Sequence, residues 1–317
     1  MKKGDKITVV GEKGLVTSAL MRRLGKHGLN NVVLLTPLES GLTDQHVVHK
    51  LFYEEKPEYV FLTSAMSGGI AANNSYPADF IYQNLQAQTN VIDAAYRHGV
   101  QRMLYLGSSC MYPKDCPQPM KEEYLFSGKL EPTSESYATA KIAGMIMCQS
   151  YNRQYGTNFI RAIPADLYGP EDDFESEDSH VMPALLRKIH TAKKEKRSAV
   201  TIWGTGLPRR EFLHADDLAD ACIFLIDNYF RTEEINIGFG EDTTIKDLAM
   251  VIKRVVDFEG ELVYDPAKPD GAPRKLLDSS RIRDMGWAPQ IGLEEGIRQT
   301  YQWYLDHHQE KGTGFQL

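Results

Sequence analysis

Tyr137 and Lys141 stand four residues apart in Ser136-Tyr-Ala-Thr-Ala-Lys141, a spacing that puts a phenol and an ammonium on one helix face. A free phenol, with a pKa of about 10, is a sluggish proton donor at neutral pH. A cation that lowered it by roughly 3 units, about 4 kcal/mol, would make it a usable acid or base for a carbonyl/alcohol pair. An isolated Tyr-x-x-x-Lys is a common accident, so the pair gains meaning only from its companions. One is Gly107-Ser-Ser-Cys-Met-Tyr-Pro113, which follows the strand-like Leu104-Tyr-Leu106. Ser108 there can hydrogen-bond a carbonyl or alcohol beside Tyr137, while Ser109 reads as a turn residue.

The other companion is a glycine turn, Gly11-Glu-Lys-Gly-Leu-Val-Thr17, between the apolar run 7–10 and a helical pattern from Ser18. Strand, glycine turn and helix form the setting in which a backbone approaches a pyrophosphate and a helix N-terminus receives it. The spacing is G-x-x-G, and Thr17 occupies the place of a third glycine. The second strand ends in Thr36-Pro-Leu38 with no acid for a ribose 2′-OH, and Glu39 comes late. Lys13 is the nearby cation and favours NADP(H).

The elements that must position these residues alternate along the chain. Segments 7–10, 32–35, 59–63, 102–106 and 158–163 read as short buried strands, and 84–98 and 136–155 as helices. This predicts an α/β fold: a doubly wound parallel sheet with ligands at the strands' carboxyl ends. After Asp166 an acidic, Pro/Gly-marked stretch runs to Ser179. A helix over 180–194, a strand over 199–203, and a helix capped by Asp216 or Asp217 follow. Segment 235–238 returns to the first sheet, and helices over 245–256 and 293–305 flank 261–264. The expected division is 1–168 with 213–240 as a dinucleotide-binding domain, and 169–212 with 241–317 as a smaller α/β substrate domain. Lys193-Lys-Glu-Lys-Arg197 reads as a solvated helix end.

The chain of 317 residues, 42% hydrophobic, suffices for about two domains. Its net charge of −7 argues against a nucleic-acid binder. The 4 cysteines show no metal-ligand spacing and suit a reducing compartment. No signal segment or membrane span of roughly 18 apolar residues is visible, so a cytoplasmic protein without a membrane partner is expected.

The glycine turn, Ser108 and Tyr137-x-x-x-Lys141 together resemble the extended short-chain dehydrogenase/reductase family (extended SDR, Rossmann). Segments 72–84, 107–113, 141–144, 179–187, 203–206, 210–214 and 268–275 narrow the resemblance to its GDP-L-fucose synthase branch, the GDP-4-keto-6-deoxy-mannose 3,5-epimerase/4-reductases. It covers nearly the whole chain. It implies NADPH as cofactor, a GDP-sugar substrate, and a homodimer through helices that include 136–155.

By the same resemblance Cys110 and His180 are the base and acid that invert C3 and C5. Tyr137 protonates the C4 alkoxide, Lys141 holds the nicotinamide ribose and lowers the Tyr137 pKa, and Ser108 binds the C4 oxygen. Gly11, Lys13, Gly14, Leu15, Val16 and Asp44 fall at dinucleotide positions, as do Lys141, Pro164, Leu167 and His180. Lys188, Trp203, Arg210 and Lys275 fall where the branch holds its GDP-sugar. Taken alone, Cys110 would read as core and His180 equally as a helix-start residue, while a core aromatic is the minor alternative for Trp203. The chain departs from the branch at Thr17, at Met66-Ser67 in place of Lys-Val, and at Ala165-Asp166 in place of Thr-Asn. Those changes leave open a related enzyme of another GDP-4-keto sugar (colitose or 6-deoxy-heptose). A non-catalytic dinucleotide sensor is the reading from a different class. A 4,6-dehydratase would carry Asp-Glu where Cys110-Met111 stand, and a simple 4-epimerase has no need of a Cys110/His180 pair.

Overall fold

The structure is a computed structural model and describes residues 1–175, 179–268 and 270–308. Parts of the acidic stretch (176–178), of the 268–275 segment (269) and of the expected second domain (309–317) lie outside the described residues.

Short runs of β-branched and aromatic residues form a parallel sheet of 6 strands. Across it the order is Ile235–Ile237, Phe159–Pro164, Arg102–Leu106, Tyr59–Leu62, Ile7–Val10 and Val32–Leu35. The strands Ile7–Val10, Arg102–Leu106 and Phe159–Pro164 are buried along their whole length, as expected when helices cover both faces. The segment near 235 does return to this sheet, pairing Ile235 with Ala162. The fold is Rossmann-like.

Two helices differ from expectation for local reasons. The helix expected over 84–98 runs Pro77–Arg97. Pro77 occupies the first helical turn, where its missing N–H costs nothing. Buried Asn84 and Gln88 had masked the periodicity of its core face. The helix Ala215–Asn228 is capped by His214, whose Nδ1 accepts the Asp216 N–H at 3.2 Å, and not by Asp216 or Asp217. Those aspartates lie in the first turn, where their charge suits the helix dipole.

Two apolar clusters form the interior. The larger surrounds the sheet and includes Phe52, Tyr105, Ile163 and Leu218. The second includes Leu186, Ile202, Ile252 and Ile297, beneath the helices Val181–Lys194, Ile245–Val256 and Leu293–His307 and the paired strands Ala199–Trp203 and Glu261–Asp265. Two small parallel pairings lie in the remaining segments: Asp166–Tyr168 with Phe212–His214, and Arg209–Arg210 with Arg274–Lys275. The buried Glu211 carboxylate joins them, accepting the Gly240 N–H at 2.6 Å and the Leu277 N–H at 2.9 Å. Burial pushes this carboxyl up to about 7.

Candidate active site

The glycine turn leaves the first strand at Gly11. A Cβ there would lie 2.3 Å from Thr63 Oγ1, so only glycine lets the turn pass the third strand's end. Thr17 fills the third-glycine position without loss, because its hydroxyl donates to the Glu12 carbonyl and ties the turn together. Gly14 starts the helix Leu15–Lys26 with no side-chain cap, leaving the N–H groups of that first turn, with Leu15 and Val16, for an anion. Lys13 Nζ is 3.0 Å from Glu39 Oε1, and Thr36 Oγ1 donates to Glu39 Oε2 at 3.0 Å. That bonding lowers the Glu39 pKa, while burial and then Glu39 raise that of Glu12. Asp44 caps the helix Gln45–Glu55, accepting the N–H groups of His46 at 2.8 Å and Val47 at 3.3 Å.

The helix Glu135–Tyr155 carries Tyr137 and Lys141 to the carboxyl ends of the strands. It passes close enough to Tyr105 that a Cβ on Gly144 would sit 2.4 Å from the Tyr105 hydroxyl. That hydroxyl lies 2.7 Å from Gln88 Oε1 and 3.1 Å from the Lys141 carbonyl oxygen. Gln88 Nε2 donates to the Ala140 carbonyl at 2.6 Å, a brace invisible to sequence spacing. Lys141 is 2% exposed and donates to the carbonyls of Leu106 at 2.9 Å and Ser64 at 3.2 Å. Burial pulls its pKa down to about 7.

Ser108 caps a single 3₁₀ turn, Ser109–Met111, and its Oγ accepts the Cys110 N–H at 3.2 Å. The same hydroxyl neighbours the Tyr137 phenol. Burial, and then neighbouring Cys110, raise the Tyr137 pKa well above its ordinary value, with Ser108 acting against them. The expected lowering by Lys141 is therefore not what the structure shows: the ammonium is directed onto backbone carbonyls instead.

Cys110 is also reached from the other side. Lys275 Nζ lies 3.7 Å from Cys110 Sγ, and this contact is the main reason the Lys275 pKa is raised. Arg210 stands in register with Lys275 on the neighbouring strand. Its Nη1 donates to the carbonyls of Arg209 at 2.8 Å and Ala272 at 2.7 Å. Asp166 Oδ2 is 4.0 Å from Arg210 Nε and its charge also acts on Lys275. The structure thus gathers Ser108, Cys110, Tyr137, Asp166, Arg210 and Lys275 into one contact group. Pro164 and Leu167 flank it on the strands Phe159–Pro164 and Asp166–Tyr168.

Two further groups stand beside it. Trp203 is 65% exposed, with Lys188 Nζ 5.9 Å and Lys268 Nζ 5.3 Å from its ring centroid, so it is no core aromatic. Asp270, which sequence reasoning missed, straps this loop by accepting from the Thr205 N–H and hydroxyl, each at 2.7 Å. His180 heads the helix Val181–Lys194 and is exposed. Its charge acts on Asp172, whose carboxyl burial pushes up to about 6. The contacts that tie Cys110 to Lys275 and Tyr137 do not extend to His180.

Residues 7–238 match the model of a family described as "NAD dependent epimerase/dehydratase family". The chain belongs to that family. Within the epimerase/dehydratase family it is 55% identical over 303 residues to GDP-L-fucose synthase 1 of Arabidopsis thaliana, covering 96% of this chain and 94% of that one. It is 47% identical over 312 residues to GDP-L-fucose synthase of Escherichia coli (strain K12), covering 96% and 97%. Among solved structures it resembles MlghC, a GDP-mannoheptose C4 reductase from Campylobacter jejuni with NADP bound. That likeness has a TM-score of 0.88 at 43% identity, covering 96% of this chain and 99% of the other.

Proposed function

We propose that this epimerase/dehydratase inverts C3 and C5 of GDP-4-keto-6-deoxy-D-mannose and reduces C4 with NADPH, yielding GDP-L-fucose. The observation that carries the reading is the meeting of Tyr137 and Cys110 on the two sides of Ser108. One turn thereby presents a proton donor for a reduced carbonyl and a thiol for carbon acids.

The uncapped first turn after Gly14, the close approach at Gly11 and the buried Lys141 fit a dinucleotide. When bound, that cofactor supplies the hydride to C4. Ser108 holds the C4 oxygen and Tyr137 gives it a proton. A C4 ketone acidifies the hydrogens at C3 and C5, so Cys110 removes a proton from one face and His180 delivers one to the other. Lys188, Trp203 and Arg210 bind the GDP moiety, two cations for the diphosphate and one exposed ring for stacking. The first apolar core carries the dinucleotide and the second the GDP-sugar. A homodimer forms through Pro77–Arg97 and Glu135–Tyr155, where Tyr82, Ile146 and Tyr155 are exposed. Sedimentation of a Tyr82→Glu/Ile146→Glu variant as a monomer would support that contact, and an unchanged oligomer would exclude it. Among the described residues no helix is long and apolar enough to cross a membrane.

The deciding experiment is incubation with GDP-4-keto-6-deoxy-mannose and NADPH in D2O, with NMR of the product. GDP-fucose carrying deuterium at C3 and C5 is the expected outcome. Reduction with one labelled centre, or none, overturns the double inversion. The 43% identity to a GDP-mannoheptose C4 reductase, with Asp166 beside Arg210, supports a second reading in which the sugar is a heptose. No turnover of the deoxymannose compound with turnover of the heptose would decide for it.

A further inference from the structure

Lys275 does not behave as a free phosphate-gripping lysine. Lys275 is half-buried, and its one hydrogen-bond partner among the described residues is Cys110 Sγ, at 3.7 Å. The strand register fixes it beside Arg210, which turns Nη1 onto backbone carbonyls at 2.7 and 2.8 Å and so differs from it. Lys275, Arg210 and Tyr137 act directly on Cys110; Lys114, Glu131 and Arg274 line the same cleft, and Asp166 faces the two cations. Asp166 is shared between the two cations, so Lys275 has charge to spare for the sulfur, and a thiol with a pKa of about 8.5 is mostly protonated at pH 7. Each group supplies what the other lacks.

We propose that Lys275 is the counter-ion that holds Cys110 as a thiolate, making it a positioning residue for proton abstraction from the sugar carbon. The proposal rests on the epimerase reading above. In the step, the C–H bond breaks, its electron pair passes into the enolate, and an S–H bond forms. His180 gives its proton to the opposite face of the same carbon. The thiol then returns its proton to water while His180, exposed at its helix start, regains one from water, and Lys275, an ammonium throughout, favours the loss from the thiol. A small cleft opens onto Cys110 and Lys275, lined also by Lys114, Gln118, Glu131 and Ser134, and gives water its access. Two successive inversions by one base require such a reset between them.

The test needs no substrate in its first arm. Labelling of Cys110 by iodoacetamide is followed by peptide mass spectrometry on the full chain, in wild type, Lys275→Met, Lys275→Gln and Lys275→Arg. Buried Cys116, Cys148 and Cys222 serve as internal controls for folding. Labelling at pH 7.0 is expected to slow about tenfold in Met and Gln, the equivalent of one pKa unit. It should stay within roughly threefold of wild type in Arg, whose charge is kept, and the differences should close at pH 9.5. Equal rates at pH 7.0 in correctly folded Met or Gln variants overturn the proposal. The second arm follows deuterium exchange into the GDP-4-keto sugar. A fall in the maximal exchange rate with KM little changed supports the proposal, whereas a raised KM with that rate intact makes Lys275 a diphosphate ligand and overturns it. If wild type exchanges no sugar but the labelling result holds, the counter-ion role stands and the epimerase reading fails.

Discussion

Lys141 donates to the Leu106 carbonyl at 2.9 Å, so the cation is anchored to the last residue of the strand that precedes Ser108 and not to the phenol one turn away. A buried ammonium bonded only to neutral carbonyls is unfavourable, which is why its pKa falls to about 7. The site therefore holds a destabilising charge in readiness for a ligand.

Replacing Lys141 with Met should abolish reduction and yet raise the melting temperature without dinucleotide. Relative to its unfolded value the Lys141 shift costs roughly 5 kcal/mol at pH 7. Two carbonyls left without a donor return about 1–3 kcal/mol each. The net gain is then up to a few kcal/mol, or roughly 2–6 °C. The folded pKa lies below the unfolded one, so between about pH 7 and 10 the unfolded state binds the extra proton and wild-type stability rises with pH. The variant's advantage should accordingly be full near pH 7 and below, and shrink toward pH 10. Melting curves at pH 7 and 10 check this.

Lys13 and Glu39 form an ion pair, each side chain 67% exposed, so solvent screening leaves it weak. A 2′-phosphate must draw Lys13 away from Glu39. Lys13→Ala should raise KM for NADPH about tenfold, and Glu39→Gln should lower it up to fivefold. NADH kinetics, measured in parallel, should change much less.

Much of this arrangement was legible in the chain because it is local. Strand runs, the glycine turn and the four-residue interval from Tyr137 to Lys141 are short-range patterns that backbone geometry converts directly into position. Glu211, Asp270 and Gln88 were not legible. Their partners Leu277, Thr205 and Ala140 lie far away in sequence, and only the packed fold decides that a carboxylate or amide is needed there. The bonds of Lys141 were not legible for a related reason. Helical spacing puts it on the face of Tyr137, but the carbonyls of Ser64 and Leu106, distant in sequence, accept its protons.

Gly144 shows how packing reaches the chemistry. Its Cβ position lies 2.4 Å from the Tyr105 hydroxyl and 2.8 Å from Gln88 Oε1, so Gly144→Ala must push the helix outward. Overpacking of this kind costs about 1–3 kcal/mol. Because the displaced helix carries Tyr137 and Lys141, kcat for reduction should fall at least tenfold. Urea unfolding and steady-state kinetics on one preparation check both effects.

Asp166 places an anion 4.0 Å from Arg210 Nε, where a diphosphate would otherwise have the cation to itself. Asp166→Asn keeps the shape and removes the charge. KM for the GDP-sugar should fall threefold to tenfold, about 1 kcal/mol, with kcat changed less. The substrate-saturation curve is the measurement.

Tyr137→Phe separates the two half-reactions. Burial and the neighbouring Cys110 hold the phenol protonated through neutral and mildly alkaline pH, so it is available as an acid over the whole working range. Its removal should cost reduction about 10²–10⁴-fold, the span expected for a lost general acid. Cys110 keeps Lys275 at 3.7 Å in this variant, so carbon acidity at C3 and C5 remains within reach of its base. Deuterium should therefore still enter the GDP-4-keto sugar at near wild-type rate while no C4 alcohol forms. Loss of exchange along with reduction would mean that Tyr137, and not Cys110, serves the carbon centres.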